Sequence, residues 1–282
     1  MNIIDKILNS INNLPTLTTI YNQLSEAIDD EYASNQRISQ LISSDQATSL
    51  KILKVANSPL FGIQGKIESI NQALLFLGHT EVKNILSTLS IVKQFNTRGD
   101  SHGLRPVDLW AHSIGVGIIS RNLALISGHK KVDNYFLAGI LHDIGKLIFL
   151  EFVSKEYMFA VEFAENENIP IKDAEKEILK IDHTQAGQLL AEKWKMPQYI
   201  QDVIQYHHSA QTPKGSSHLL STVHISNIMA RIMRLGFSGD NLVPQPNMMV
   251  WDEVEIEKGD LISLQEKIVN DFKNAVHTLL VD

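Results

Sequence analysis

The residues that could do chemistry in this sequence are histidines, 11 in all, and several fall where histidine is costly. After Pro106, Leu109, Val116, Ile119 and Leu123 recur at helical spacing, with His112 in register with them. Ala138 and Leu141 point the same way as His142 on a second helix. His183 continues the stripe Gly187, Leu190, Ala191 and Trp194 on a third, and His207 and His208 continue Ile200, Val203 and Ile204 on a fourth. Further on, Leu220, Val223 and Arg231 flank His224 and Asn227. A single histidine on an apolar face is most often a core residue with one hydrogen bond. Four helices that each bury an imidazole are different, because each ring costs desolvation unless it is paired. A shared metal ion would offset that cost, since neutral imidazole is a standard ligand for Zn, Fe, Mn or Ni. His79, His102, His129, His218 and His277 fall in loops or at helix ends and read as surface residues.

Asp143 directly follows His142. Neighbours on a helix point about 100° apart, so both reach one ion only near a helix end or bend, and Ile144-Gly145 supplies such a break. A carboxylate at this place can bridge two cations, one per oxygen. Lys146 lies three residues on. Its ammonium is either free to meet a phosphate or an exposed charge at a helix start.

The elements that must position these residues are helices. Leu17, Ile20, Tyr21, Leu24 and Ile28 have helical spacing, Asp45 is a good cap for the segment through Val55, and Gly78 suits a helix end with Thr80 capping the next helix. The polar stretch Asn96–Pro106 breaks the pattern and marks a boundary. Beyond it, helices are expected near 107–127, 134–142, 155–166, 171–179, 183–195, 198–207, 219–235 and 262–280, with 236–251 a long loop. The expected fold is all-α, with a helical N-terminal domain over residues 1–100 and a second helical domain over 105–282.

Composition agrees. Glycine (15) and proline (8) are scarce for a chain rich in tight turns. Cysteine is absent, so disulfides, thiolate nucleophiles and cysteine metal sites are excluded. With 25 basic and 32 acidic residues the net charge is -7, which makes nucleic acid an unexpected partner. No apolar run approaches the roughly 20 residues of a membrane helix, and the N-terminus lacks the apolar core of a signal peptide, so a cytoplasmic protein without a membrane partner is expected. Gly115-Val116-Gly117 lacks the third glycine of a dinucleotide loop and is better explained by close helix packing.

The segment Leu141-His142-Asp143-Ile144-Gly145-Lys146 resembles the central motif of the HD superfamily of metal-dependent phosphohydrolases. The order His112, His142-Asp143, His183, His207-His208 resembles the ligand set of its binuclear branch. That resemblance implies one metal on His112, His142 and Asp143 and another on Asp143, His183, His207 and His208. Leu14-Pro15, Leu41 to Asp45, Ala56-Asn57-Ser58 with Phe61, Ile70 with Ala73-Leu74, Leu77-Gly78 and Trp110-Ala111-His112 are similar to the HDOD domain, the HD-related output domain of bacterial signalling.

Two departures stand out. The superfamily pattern ends on an aspartate where this chain has Asn227, an amide that can coordinate but brings no charge. After His208 the chain reads Ser209-Ala210-Gln211-Thr212-Pro213, without the Gly-Tyr-Pro signature of the cyclic-di-GMP phosphodiesterases. The expectation is therefore a regulatory HDOD protein that binds a signalling partner or a small phosphate-containing ligand. It would hold one or two divalent ions (Fe, Mn, Ni or Zn), the His112 site being the weaker. The alternative is a metal-dependent phosphohydrolase in which Asp143 and Lys146 serve catalysis and two metals generate hydroxide for attack on phosphorus.

Overall fold

The computed structural model describes residues 2–14, 27, 34–63, 65–95 and 104–280. The helix expected around Leu17 to Ile28, most of the polar break Asn96–Pro106, and His102 lie outside the described residues, Ala27 excepted. Among the described residues the regular structure is helical, with only an isolated bridge between Thr212 and Gly215.

The chain divides into two compact units: Met1–Leu14 with Phe95–Ile268, and Pro15–Gln94 with Val269–Asp282. Residues 1–14 and 269–282 thus each group with the unit that does not adjoin them in sequence. The reason is visible in α1 (Ile3–Asn13), capped by the Asn2 side chain. Its Ile7 and Ile11 are buried, and the Lys193 ammonium of the larger unit meets the carbonyls of Ile11, Asn12 and Leu14 at its C-terminal end. A cation on the last carbonyls of a helix satisfies groups that have no intrahelical donor.

In the smaller unit, α2 (Asn35–Ser43), α3 (Gln46–Ala56) and α4 (Ile70–Leu77) start at Ser34, Asp45 and Ser69, whose side chains each accept a backbone N–H. Asn57 ties the intervening loop by exchanging two bonds of 2.8 Å with the Ile67 backbone. Gly78 ends α4 at φ +84°, and α5 (His79–Gln94) begins directly after it, so Thr80 is inside the helix rather than its cap.

The larger unit is built on α6 (Pro106–Ile126), buried from Leu109 to Ala124 except for the half-buried Ala111. It is long and apolar enough to cross a membrane, but most of it is buried inside the protein. α7 (Val132–Leu141) crosses it closely: a Cβ on Gly139 would lie 2.6 Å from the Gly117 Cα. That accounts for Gly117 in mid-helix, whereas a Cβ on Gly115 would lie 2.8 Å from the Leu235 Cβ. After His142 and Asp143 the chain enters α8 (Ile144–Phe152), a helix absent from the periodicity reading because its apolar residues are nearly continuous. Next come α9 (Ser154–Glu167), α10 (Ile171–Leu179), α11 (His183–Lys193), α12 (Gln198–Tyr206) and α13 (His218–Ile232). The expected loop 236–251 contains the short α14 (Met248–Trp251), and α15 (Lys258–Leu280) follows.

Candidate metal centre

The site begins with a helix that stops. α7 ends at Leu141, and Asp143 leaves helical geometry at φ -102° and ψ 17° before α8 starts. This lets two adjacent side chains turn into one cavity. α8 then packs on α11 with almost no gap, since a Cβ on Gly145 would lie 1.9 Å from the His183 carbonyl oxygen. The glycine thus brings Asp143 within reach of the third histidine helix. On α11, Asp182 forms a capping box with Gln185 and fixes the first turn, where His183 sits.

Asp143 is the hub, buried with its two oxygens differently engaged. Oδ2 accepts from the Lys146 ammonium at 2.7 Å and lies 3.2 Å from His142 Nε2. Oδ1 has no hydrogen-bond partner and faces His183 Nε2 at 3.3 Å and His207 Nε2 at 3.5 Å. His208 joins on that side, its Nε2 2.9 Å from His183 Nε2. His142, His183 and His207 are fully buried, and His208 is half-buried.

The rings are aimed by their other nitrogens. His142 Nδ1 donates to the Gly139 carbonyl at 2.7 Å, and His207 Nδ1 lies 3.1 Å from the Val203 carbonyl. Each leaves a buried Nε2 without a partner. His183 Nδ1 meets the Glu175 carboxylate, whose Oε2 also accepts the His183 backbone N–H at 2.8 Å. A proton on Nδ1 leaves Nε2 as a free lone pair, the usual carboxylate–histidine support of a metal ligand.

Burial decides the charge states. It pushes His183, His207 and His208 down, His207 to about 4, so these rings are neutral and able to ligate. Burial alone would raise the Asp143 carboxyl, but His142 and the Lys146 ammonium hold it well below the usual carboxylate range. Glu175 is pushed up to about 8 by burial, against the pull of Lys146 and the His183 N–H.

Two donor groups emerge: His183, His207 and His208, and His112, His142 and Asp143, each with its ligand atoms within 4.8 Å of one another. N/O donors on a tetrahedral ion with bonds of about 2.0–2.1 Å sit about 3.3 Å apart. The spacings of 3.3 and 3.5 Å around Asp143 Oδ1 match that, and the unpartnered Oδ1 and His207 Nε2 are what an ion would satisfy. The residues present fit a divalent metal on this side.

The other side differs. His112 Nε2 is bonded to Asn227 Oδ1 at 2.9 Å, and Asp143 Oδ2 is taken by Lys146. Both expectations for Lys146 need correction: it is fully buried rather than exposed, and its ammonium is bound by Asp143 and the Ser238 carbonyl at 2.9 Å rather than free. A buried ammonium must be paired, and residues three apart on a helical turn supply the pairing.

His224 lies apart from the donors, its Nδ1 bonded to the His207 carbonyl at 2.8 Å and its Nε2 to the Asn247 N–H at 3.1 Å, holding the chain behind the site. His129 and His218, expected on the surface, are half-buried with rings 3.8 Å apart, and Tyr135 bonds His218 Nδ1 at 3.0 Å. The sequence reading missed Glu175, although a signal existed. It falls in register with buried Ile171, Ala174 and Leu179, the criterion that singled out the histidines.

Residues 14–210 match the family profile of the HDOD domain. A crystal structure of an HDOD domain protein of unknown function from Geobacter sulfurreducens is similar at a TM-score of 0.81 and 26% identity, covering 99% of this chain and 100% of that one. A protein from Shewanella amazonensis SB2B described as a candidate phosphohydrolase shares the fold at a TM-score of 0.75 and 21% identity, over 97% and 98% of the two chains. An uncharacterized protein of Treponema pallidum (strain Nichols) is 24% identical over 229 residues. That match covers 80% of this chain and 44% of the Treponema protein, so the chain spans less than half of that relative's length.

Proposed function

The chain belongs to the HDOD domain family, and we propose that it works as a regulatory, ligand-binding module with one divalent transition metal held by Asp143, His183, His207 and His208. The observation that carries this reading is the unequal use of the Asp143 carboxylate. Oδ1 lies unpartnered among histidine nitrogens, whereas Oδ2 already holds the Lys146 ammonium at 2.7 Å. A fixed internal cation takes the position on which a second metal would depend, and Asn227 adds no charge to replace it.

A metal in the first position would supply Lewis acidity and lower the pKa of a bound water. The protein's own contribution is to keep four donors deprotonated, aimed and dry. Glu175 holds His183, the Val203 carbonyl holds His207, burial keeps His208 neutral, and His142 with Lys146 keeps Asp143 ionised.

The phosphohydrolase reading is supported by one observation, that His112, His142 and Asp143 also converge to within 4.8 Å. Metal analysis separates the two. After anaerobic loading with Mn(II), Fe(II) or Zn(II), one equivalent and no turnover of a generic phosphodiester are expected. Two tight equivalents with turnover under reducing conditions would overturn the proposal.

A further inference from the structure

Beside the histidines lies a second feature that the metal reading leaves unused. A cavity of about 600 Å³ opens between the end of α13 and the chain that follows it, with His112, Arg231, Arg234, Phe237, Asp240 and Leu242 among its walls. That volume is in the usual range of small-ligand sites, roughly 300–1,000 Å³.

Its charges are organised. Asp240 is spent: Oδ1 accepts from Arg231 Nη1 and from the Leu242 N–H at 2.9 Å, and Oδ2 accepts the Ile171 N–H at 3.0 Å. The Arg231 side chain is only 8% exposed, and its Nε is buried with no hydrogen-bond partner. Arg234 is exposed at the rim, and among the described residues its side chain has no ion pair. Two guanidiniums against one neutralised carboxylate leave the cavity positive in a chain of net charge -7. Ile232, Phe237, Leu242 and Val243 give it an apolar wall.

The cavity is also built rather than incidental. A Cβ on Gly236, at φ +73°, would lie 2.2 Å from the His112 backbone nitrogen, so only glycine allows this approach. The Phe237 N–H donates to the Asp108 carbonyl at 3.2 Å, and the Ser238 carbonyl accepts from Lys146.

We propose that this cavity binds a phosphomonoester of nucleotide size, its phosphate on Arg231 Nε and Arg234 and its planar body against Phe237 and Leu242. The planar guanidinium suits phosphate oxygens, and a buried unpaired donor is costly until an acceptor arrives. This rests on the reading of the chain as a ligand-binding module, but not on the metal.

Calorimetry on the full chain, with and without prior EDTA treatment, tests it with GMP, AMP, inorganic phosphate and guanosine as probes. A nucleotide should bind with or without metal, guanosine should not, and phosphate should compete. Loss of one charge-assisted bond should weaken nucleotide binding about tenfold or more in Arg234→Ala. Arg231→Lys, which keeps the charge beside Asp240 but removes Nε, should weaken it similarly with an unchanged circular dichroism spectrum. If Arg231→Lys fails to fold, Arg234→Ala alone decides. No nucleotide or phosphate binding at millimolar concentration, unchanged affinity in Arg234→Ala, or binding that requires the metal would overturn the proposal. One metal equivalent measured alongside would leave the regulatory reading standing even then.

Discussion

The two sides of Asp143 are made of the same residue types and differ in their neighbours. Toward His183, His207 and His208, the carboxylate oxygen and His207 Nε2 have no internal partner, and His183 Nε2 meets only the His208 ring. Toward His112 and His142, an ammonium holds the other carboxylate oxygen and an amide holds His112, leaving His142 Nε2 alone unpartnered. Ligand residues alone therefore do not define a metal site. What matters is whether the donor atoms are left unsatisfied by the protein, and that is decided by Lys146 and Asn227 rather than by the histidines.

The largest effect expected is from Asp143→Ala. It removes a donor from both sides and leaves Lys146 buried without its partner, a loss of about 3–5 kcal/mol. Metal content should fall to zero, and urea unfolding should show the destabilisation. Metal content equal to the parent would break the comparison at its hub.

Acid should act next. His207 is held to about 4 by burial, against about 6.5 when unfolded. Between those values the unfolded chain binds a proton that the folded one refuses, so stability rises with pH across this window. For the metal-free protein, about 3 kcal/mol should be lost from this ring as pH falls from 6.5 to 4, with no further loss below. Denaturant midpoints across this range in parent and His207→Gln measure it; equal slopes in the two would deny His207 the role.

Glu175→Leu should weaken metal binding about 10–100-fold, because His183 loses the oxygen that holds its Nδ1 and backbone N–H and so aims its ring. Competition with a chelator reads this directly, and an unchanged affinity would mean that His183 does not ligate. The smallest effect is expected from Asn227→Asp alone, since Lys146 still holds Asp143 Oδ2. In the background of Lys146→Met, the same change should raise metal stoichiometry towards two. A second equivalent from Asn227→Asp by itself would show that the amide, not the ammonium, closes that side.

Much of this was legible in the sequence. Helical periodicity gave the all-α fold, and the in-register histidines marked the four helices that meet at Asp143. The fate of Lys146 was not legible, because Ser238, its second partner, lies 92 positions away and only packing brings it near. α8 was hidden because a helix buried all round has no polar face to give it a period. The placement of α1 was hidden too, for its tie to Lys193 spans up to 182 positions. Glu175 could have been found by applying the histidine criterion to carboxylates.

The most direct test of the central claim is the position of the ion. Anomalous diffraction from crystals loaded anaerobically with Mn(II) or Zn(II) should show a single peak between Asp143 Oδ1, His183, His207 and His208. A peak between His112 and His142, alone or as a second site, would contradict the account.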